Sequence, residues 1–130
     1  MLFPYSAATG DMVVRVSVSF LPDQSQPEAG RWFWAYHIRL ENKGAGEVQL
    51  LTRRWIITDG RGERHLVEGE GVVGEQPVIA PGGSYDYVSG CPLDTPNGTM
   101  EGSYRMLRGD GTSFDAAIPR FSLIGPAVAR

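Results

Sequence analysis

Residues 69–74 read GEGVVG, a G-x-G-x-x-G spacing of the kind that binds phosphate groups in other proteins. In dinucleotide-binding folds this loop ends a strand and begins a helix, and the first backbone amides of that helix hold the pyrophosphate. The pattern here does not favour a helix, because Pro77 and Pro81 follow closely and residues 78–79 read as a strand fragment. The spacing alone therefore does not predict a nucleotide site.

The glycine-rich loop of kinases lies between strands, but it works with a lysine from a later strand and with acidic magnesium ligands. The single lysine of this chain, Lys43, lies upstream of the loop, and Glu68, Glu70 and Glu75 would repel a phosphate in the absence of a metal. We interpret the glycines as a tight, bulged connection that requires positive φ or close backbone approach. Binding of a polyphosphate nucleotide or its metal complex through residues 69–74 is the alternative hypothesis.

Side chains that could bind a soft metal are few and lack the usual spacing. The chain has His37, His65 and Cys91 without a C-x-x-C, H-x-H or H-E-x-x-H motif, so the fold alone would have to assemble a zinc site. His37 shares its predicted strand face with Arg39 and Glu41, which favours a solvated polar face. The carboxylates near predicted turns are Asp59, Glu63, Glu68 and Glu70. They leave hard-cation binding open, although no calcium-loop spacing connects them. We predict no metal site and no cofactor.

A nucleophile of the cysteine or serine type is poorly supported. Cys91 lies in a predicted turn, and the nearby Asp86 and Asp94 would raise rather than lower the pKa of its thiol. Ser84 and Ser89 are not in a G-x-S-x-G elbow. The chain therefore lacks a recognisable catalytic set, and we predict no catalytic residues and no enzymatic activity.

Length and composition limit the class of protein. A chain of 130 residues predicts one domain with its own core. The net charge of −3 arises from scattered acidic residues, so no basic surface for nucleic acid is evident. A single cysteine is typical of a reducing compartment, and no leader or apolar run of about 20 residues is present. We expect a cytoplasmic protein that binds neither nucleic acid nor membranes.

Apolar residues recur at every second position, and no segment has the 3.6-residue period of an amphipathic helix. Alternate valines in residues 12–20 share one face. Residues 31–41 alternate most clearly, with Trp34, Tyr36 and Ile38 on one face. The other predicted strands are residues 47–58, 63–67, 77–80, 84–89, 99–107 and 114–123.

Two of these segments interrupt their own alternation. Residues 47–58 place apolar groups on both faces at Leu50 and Leu51, which predicts a central or bulged strand. In the last segment Pro119 interrupts the ladder and Phe121 resumes one residue out of register, which predicts a bulge or an edge.

About seven short strands separated by turn signals predict an all-β fold, an immunoglobulin-like or fibronectin type III-like antiparallel β-sandwich. The residues expected in or near its core are Trp34, Tyr36, Ile38, Trp55, Tyr104 and Phe121. We predict a single domain over residues 11–125, with a poorly ordered segment at residues 1–10 and a C-terminal tail at residues 126–130.

A sandwich without a catalytic set predicts a binding module, because its loops and unpaired edge strands can contact another protein. We expect an unidentified protein partner and no small-molecule ligand. Val72 and Val73, with Pro77 and Tyr85 or Tyr87, could form an apolar recognition patch; alternatively, the valines anchor the loop to the core. The candidate contact residues are Gly69, Glu70, Gly71, Val72, Val73, Gly74, Tyr85 and Tyr87.

Several long motifs resemble a known family. They are FWAYHIRLEN, GEGVVGEQPVIAPG, the stretch from SG to TPNGTMEGSY, and FDAAIPRFSL. With them the chain resembles the bacterial ApaG (CorD) family over most of its length. The resemblance implies a fibronectin-type β-sandwich without an established catalytic activity. Related domains in eukaryotic F-box proteins and in a polymerase-interacting protein imply a role in protein interaction.

Family naming also links these proteins to cobalt resistance, to magnesium efflux and to the neighbourhood of diadenosine tetraphosphate hydrolase. A chain without a membrane span cannot itself conduct ions, so the resemblance implies at most an indirect role in Co²⁺ or Mg²⁺ handling. We expect a non-enzymatic interaction module.

Overall fold

The computed structural model describes residues 2–126 as two antiparallel β-sheets packed face to face. The strands are β1 Tyr5–Thr9, β2 Met12–Phe20, β3 Trp32–Asn42, β4 Val48–Asp59, β5 Arg64–Glu70, β6 Val78–Ile79, β7 Ser84–Leu93, β8 Asn97–Arg108 and β9 Ser113–Ile124. One sheet has the order β1-β2-β3-β7. The other has the order β5-β4-β8-β9, and β6 pairs with the beginning of β4. Two 3-10 turns, Pro22–Gln24 and Pro27–Ala29, connect β2 to β3.

The predicted all-β sandwich is confirmed, with nine strands in the described residues rather than about seven. The prediction of a poorly ordered segment at residues 1–10 is wrong for β1, which pairs with β2 along its whole length. Tyr5 also packs on Phe121, with ring centroids 5.9 Å apart. Of the predicted tail only Pro126 is described, and residues 127–130 lie outside the described residues. No helix in residues 2–126 is long and apolar enough to cross a membrane.

Alternation along the strands accounts for the core, because every second side chain of each sheet points toward the other sheet. In β3 this places Trp34, Tyr36 and Ile38 inside, each at most 6 % exposed. Trp55, Tyr104 and Phe121 come from the facing sheet and are equally buried. All six predicted core residues are therefore confirmed. The rings of Tyr36 and Trp55 meet edge to face across the two sheets at 5.3 Å.

The two predicted irregularities are real bulges. In β4 the pairing with β8 shifts between Leu50 and Thr52. After this bulge the inward-facing side chains change from even-numbered to odd-numbered positions. Leu50 and Trp55 can therefore both face inward although five positions separate them. In β9 the register shifts beside Pro119, so that Ile118 and Phe121 are both buried.

The two open sides of the sandwich differ. On one side β1 and β9 are linked across the sheets, since the amide of Ala117 donates to the hydroxyl of Thr9 at 2.9 Å. On the other side the edge strands β5 and β7 belong to different sheets and flank a groove. This second side carries the glycine loop and the other candidate residues.

Candidate functional site

The glycine loop connects β5 to β6 through a tight turn. The backbone amide of Val72 donates to the carbonyl of Glu75 at 2.8 Å, and the amide of Glu75 donates back to Val72 at 3.0 Å. The two central residues, Val73 and Gly74, have φ values of 48° and 79°, as a type I′ turn requires. The chain then runs extended into β6, which pairs with Val48 and Gln49 of β4. The interpretation as a tight connection is therefore confirmed, and no helix begins at the loop.

Several backbone amides and carbonyls of this loop are already hydrogen-bonded to other groups of the chain. The amide of Gly71 donates to the carbonyl of Leu51 at 2.9 Å. Arg53 of β4 donates from Nη1 to the carbonyls of Glu70 and Gly71, at 3.0 and 2.9 Å. Two glycines permit this packing: a Cβ at Gly69 would lie 2.8 Å from the guanidinium of Arg53, and one at Gly71 would overlap the Glu75 carbonyl. The spacing thus fits a loop fastened by an arginine, and the amides of Gly71, Val72 and Glu75 are already donated within the chain.

The proposed recognition patch divides between core and surface. Val72 is 1 % exposed and anchors the loop, whereas Val73 is 64 % exposed at its tip. Tyr87 is buried and Tyr85 is half-buried. Val72 and Tyr87 are therefore wrong as surface contacts, because the turn and the strand alternation point both side chains inward. Val73 keeps the exposure that contact with a partner requires.

Tyr87 belongs to a buried polar group between the sheets. Its hydroxyl hydrogen-bonds the hydroxyl of Tyr104 on β8. Burial raises the pKa of both phenols, and it also raises the pKa of Tyr36 nearby. All three side chains are therefore neutral at physiological pH.

The groove between β5 and β7 has a volume of about 800 Å³ at its wider end. Its floor is formed by Tyr36, Arg53, Trp55 and Ser89, which also line a narrower continuation of the groove beside the glycine loop. Along one wall the alternation of β5 turns His65 and Val67 toward the groove. The floor thus combines two aromatic rings with one arginine and one serine.

Exposed apolar side chains concentrate on the strands and the loop that border this groove. Among residues 2–126 the exposed large apolar side chains are Leu2, Leu66, Val67, Val73, Val78, Val88 and Ile124. All but Leu2 and Ile124 lie on β5, on β6, on the glycine loop or on β7. Since isolated exposed apolar residues are ordinary on protein surfaces, their grouping on the strands that border one open side is the informative feature. Val67 points into the groove, whereas Leu66 and Val88 point to the outer faces of their sheets.

An Asp–Glu–His cluster lies at the wider end of the groove, where β4 turns into β5. Asp59 organises this turn: its Oδ1 accepts hydrogen bonds from the amides of Arg61 and Glu63, at 2.9 and 3.0 Å. Its side chain is 1 % exposed, and its Oδ2 has no hydrogen-bond partner. One donor atom each of Asp59, Glu63 and His65 lies within 4.8 Å of the others.

The ionisation of Asp59 follows from opposing effects. Burial alone would raise the pKa of its carboxyl, but the hydrogen bonds from the amides of Glu63 and Arg61, with His65 and the Arg61 guanidinium nearby, lower it overall. Asp59 is therefore a carboxylate at neutral pH.

The sequence indicated Asp59 and Glu63 together with Glu68 and Glu70 as possible cation ligands. The structure brings only the first two together. Glu68 instead lies 3.8 Å from Arg54 on the outer face of β5. His65 was missed as their neighbour because the register of the β4–β5 hairpin, in which it pairs with Ile57, is not visible in the composition of the turn.

The lone thiol lies in the same groove. Cys91 is 2 % exposed on β7, and burial raises the pKa of its thiol to about 11. The expected upward shift in pKa is confirmed, although its cause is burial rather than the neighbouring aspartates. A protonated, buried thiol is a poor nucleophile.

His37 lies on the outer face of β3, away from the groove. Its Nε2 is 2.8 Å from Asp86, and Arg39 donates to the same carboxylate at 3.0 Å. The ring of Phe3 packs against His37 edge to face at 5.1 Å. The predicted polar face is present, and the N-terminal segment covers part of it.

Comparison with known proteins shows which family the sequence of this chain matches. A family model described as the ApaG domain matches residues 22–108. Protein ApaG of Maricaulis maris is 58 % identical over 116 residues, which cover 88 % of this chain and 89 % of that protein. Protein ApaG of Afipia carboxidovorans is 54 % identical over 126 residues, 97 % of each chain.

Solved structures agree with these sequence matches. The crystal structure of a Bordetella pertussis protein named ApaA superposes with a TM-score of 0.87 at 41 % identity, and covers 98 % of this chain and 100 % of that chain. The sandwich, the glycine loop and the β5–β7 groove are thus features of a chain that belongs to the ApaG domain family.

Proposed function

We propose that this ApaG domain is a non-enzymatic protein-interaction module whose contact surface is the open side between β5 and β7. The observation that carries the proposal is the concentration of exposed apolar side chains on the strands and the loop that border that side. Val67 faces the groove and Val73 lies at the loop tip, whereas Leu66 on β5, Val78 on β6 and Val88 on β7 lie on the adjoining outer faces of the two sheets. By family resemblance the interaction is linked indirectly to Co²⁺ or Mg²⁺ handling.

The occupant that fits this surface is an extended, mainly apolar segment of another protein. Within the described residues β5 pairs with β4 alone, so one row of its backbone groups is available to a further strand. β5 contains neither proline nor a bulge, unlike β9 with Pro119. A strand added to β5 would place alternate side chains over Val67 and the groove floor at Trp55, which is an apolar environment. Its other side chains would lie beside Leu66 and the charged residue Glu68.

The test is site-specific photo-crosslinking in cells of the source organism. A photoreactive phenylalanine analogue placed at Val67, and separately at Val73, is expected to give adducts with one and the same segment of another protein. The matched control position is Arg105, whose exposed side chain lies on the outer face of the sheet beside Asp115. Mass spectrometry of the adducts identifies the crosslinked segment.

Three results would reject the proposal. They are adducts no stronger than those from position 105, adducts at Val67 and Val73 with unrelated proteins, and adducts only with a second copy of the chain. The last result would identify the open side as a self-association surface.

A further inference from the structure

The Asp59–Glu63–His65 cluster contains a buried carboxylate oxygen that the protein leaves unpaired. Asp59 Oδ1 is fixed by two backbone amides, and this orients Oδ2 toward His65, whose Nε2 lies 3.6 Å away. A buried carboxylate oxygen without a hydrogen bond is costly, so a native structure that retains one has a reason for it. One such reason is a ligand that supplies the missing partner.

The donor set is one imidazole nitrogen and two carboxylates, which suits Zn²⁺ and similar ions better than Ca²⁺ or Mg²⁺. In a tetrahedral zinc site the bonds are about 2.0–2.1 Å, which separates donor atoms by about 3.3 Å. The Asp59–His65 distance is already close to that value. Glu63 and His65 are more than half exposed, so their side chains can adjust while Asp59 is held by the turn.

Arg61 is the resident competitor for this position. Its Nη2 is 3.6 Å from Asp59 Oδ2 and 4.0 Å from Glu63, both beyond hydrogen-bond distance. The same nitrogen donates a hydrogen bond to Asp94 at 2.7 Å, and this bond holds the guanidinium beyond hydrogen-bond distance of Asp59. Arg61 therefore neutralises part of the local charge without satisfying Oδ2.

We infer that Asp59, Glu63 and His65 form a binding site for a divalent transition-metal ion of the Zn²⁺ class. Asp59 supplies Oδ2, Glu63 a carboxylate oxygen and His65 its Nε2. All three residues line the β5–β7 groove, so the remaining coordination position faces the groove and is available to water or to a donor group from another molecule. The backbone hydrogen bonds to Asp59 Oδ1 provide the outer-shell support that orients a metal-bound carboxylate.

The test uses the purified full chain, Zn²⁺ alone and NMR of the histidine ring nitrogens. The sequence contains two histidines, so the spectrum carries one reporter at the site and one internal control. Saturable addition of Zn²⁺ is expected to shift the Nε2 resonance of His65 and to leave His37 unchanged. Isothermal titration calorimetry gives the dissociation constant under the same conditions.

Variants then assign the ligands. His65→Gln and Glu63→Gln each remove one exposed donor and should weaken Zn²⁺ binding at least about tenfold, since loss of outer-shell partners alone costs that much. His37→Gln is the matched control and should leave the dissociation constant unchanged. Arg61→Gln removes the competing cation and should tighten binding severalfold, which a purely structural turn would not do.

The inference fails if His65 does not shift, if both histidines shift together, or if His65→Gln binds Zn²⁺ as tightly as the parent chain. Weaker binding by Arg61→Gln, with the fold intact by circular dichroism, would equally overturn it, because the site would then depend on the guanidinium. These measurements need no protein partner. The metal site can therefore fail while the interaction surface stands, and the reverse is also possible.

Discussion

The hydroxyl of Tyr87 hydrogen-bonds the hydroxyl of Tyr104 in the middle of the sandwich, and the two residues come from different sheets. Both side chains are buried, and burial raises the pKa of each. The pair is thus a neutral polar link between the two sheets inside a mainly apolar core.

This link should be stabilising only as a pair. Tyr104→Phe leaves the Tyr87 hydroxyl buried without its partner, which should lower the free energy of unfolding by roughly 1–3 kcal/mol. The double variant Tyr87→Phe/Tyr104→Phe should lose less than the sum of the two single variants, because no unpaired hydroxyl remains. Urea unfolding of all four proteins measures the coupling; strictly additive losses would show that the two hydroxyls act independently.

Trp55 is the centre of the aromatic core. It contacts Tyr36, Tyr104 and Phe121, with ring centroids 5.3, 6.4 and 6.0 Å away. Trp55→Ala should lower the free energy of unfolding by about 3–5 kcal/mol, since it removes a large buried side chain and leaves a cavity. Leu66→Ala, on the exposed edge, is the control and should change stability by less than about 0.5 kcal/mol. Guanidinium chloride unfolding should separate the two; equal midpoints would contradict this account of the core.

Val73 carries backbone strain at the tip of the glycine loop. Its φ of 48° is unfavourable for a β-branched residue, whereas asparagine tolerates this region. Val73→Asn should therefore stabilise the chain by roughly 1 kcal/mol, visible as a higher Tm. The same change at Val72 should destabilise it, because that side chain is buried. If Val73→Asn lowers Tm, the exposed valine contributes packing that outweighs its strain.

Asp59 should make the free energy of unfolding depend on pH in the acid range, below about pH 4. Its folded-state pKa is lowered from the ordinary value of 3.8, since backbone hydrogen bonds outweigh the effect of burial. Its contribution is therefore present above pH 3.8 and is lost as pH falls through the lower folded-state pKa. Asp59→Asn should flatten the curve of unfolding free energy against pH below about pH 4. Urea unfolding between pH 2.5 and pH 7, in about half-unit steps, measures both curves; parallel curves would mean that Asp59 does not titrate differently on folding.

Nucleotide binding by the glycine loop should be absent. The amides of Gly71, Val72 and Glu75 are donated within the chain, and Arg53 is held by two loop carbonyls. Titration with ATP and Mg²⁺ should leave the amide resonances of residues 69–76 in place. Saturable shifts confined to those residues would instead support the hypothesis of a polyphosphate site.

Much of the fold could be predicted from two-residue periodicity. The alternation in β3 is strong enough to identify Trp34, Tyr36 and Ile38 as core, and Pro119 indicated the bulge in β9. The strand β1 was missed because its inward positions, Tyr5, Ala7 and Thr9, are only half-buried and include small or polar side chains. Such a pattern becomes recognisable only through the pairing with β2.

The candidate site was harder to predict, because a shift of one position along the chain decides whether a side chain points into the core or toward solvent. Neighbouring valines at 72 and 73 have the same chemistry, and only the turn decides which of them is buried. Likewise His65 joins Asp59 through the register of a hairpin, with no spacing motif between them. The sequence contained the ligands but not the geometry that brings them together.

Arg53 has a wider consequence. Its backbone belongs to β4, its guanidinium holds the carbonyls of the glycine loop, and its side chain forms part of the groove floor. One side chain therefore connects the base of the glycine loop with the groove floor. A molecule that displaced the Arg53 guanidinium from the groove floor would break its hydrogen bonds to the carbonyls of Glu70 and Gly71, so occupation of the groove would loosen the loop that carries Val73.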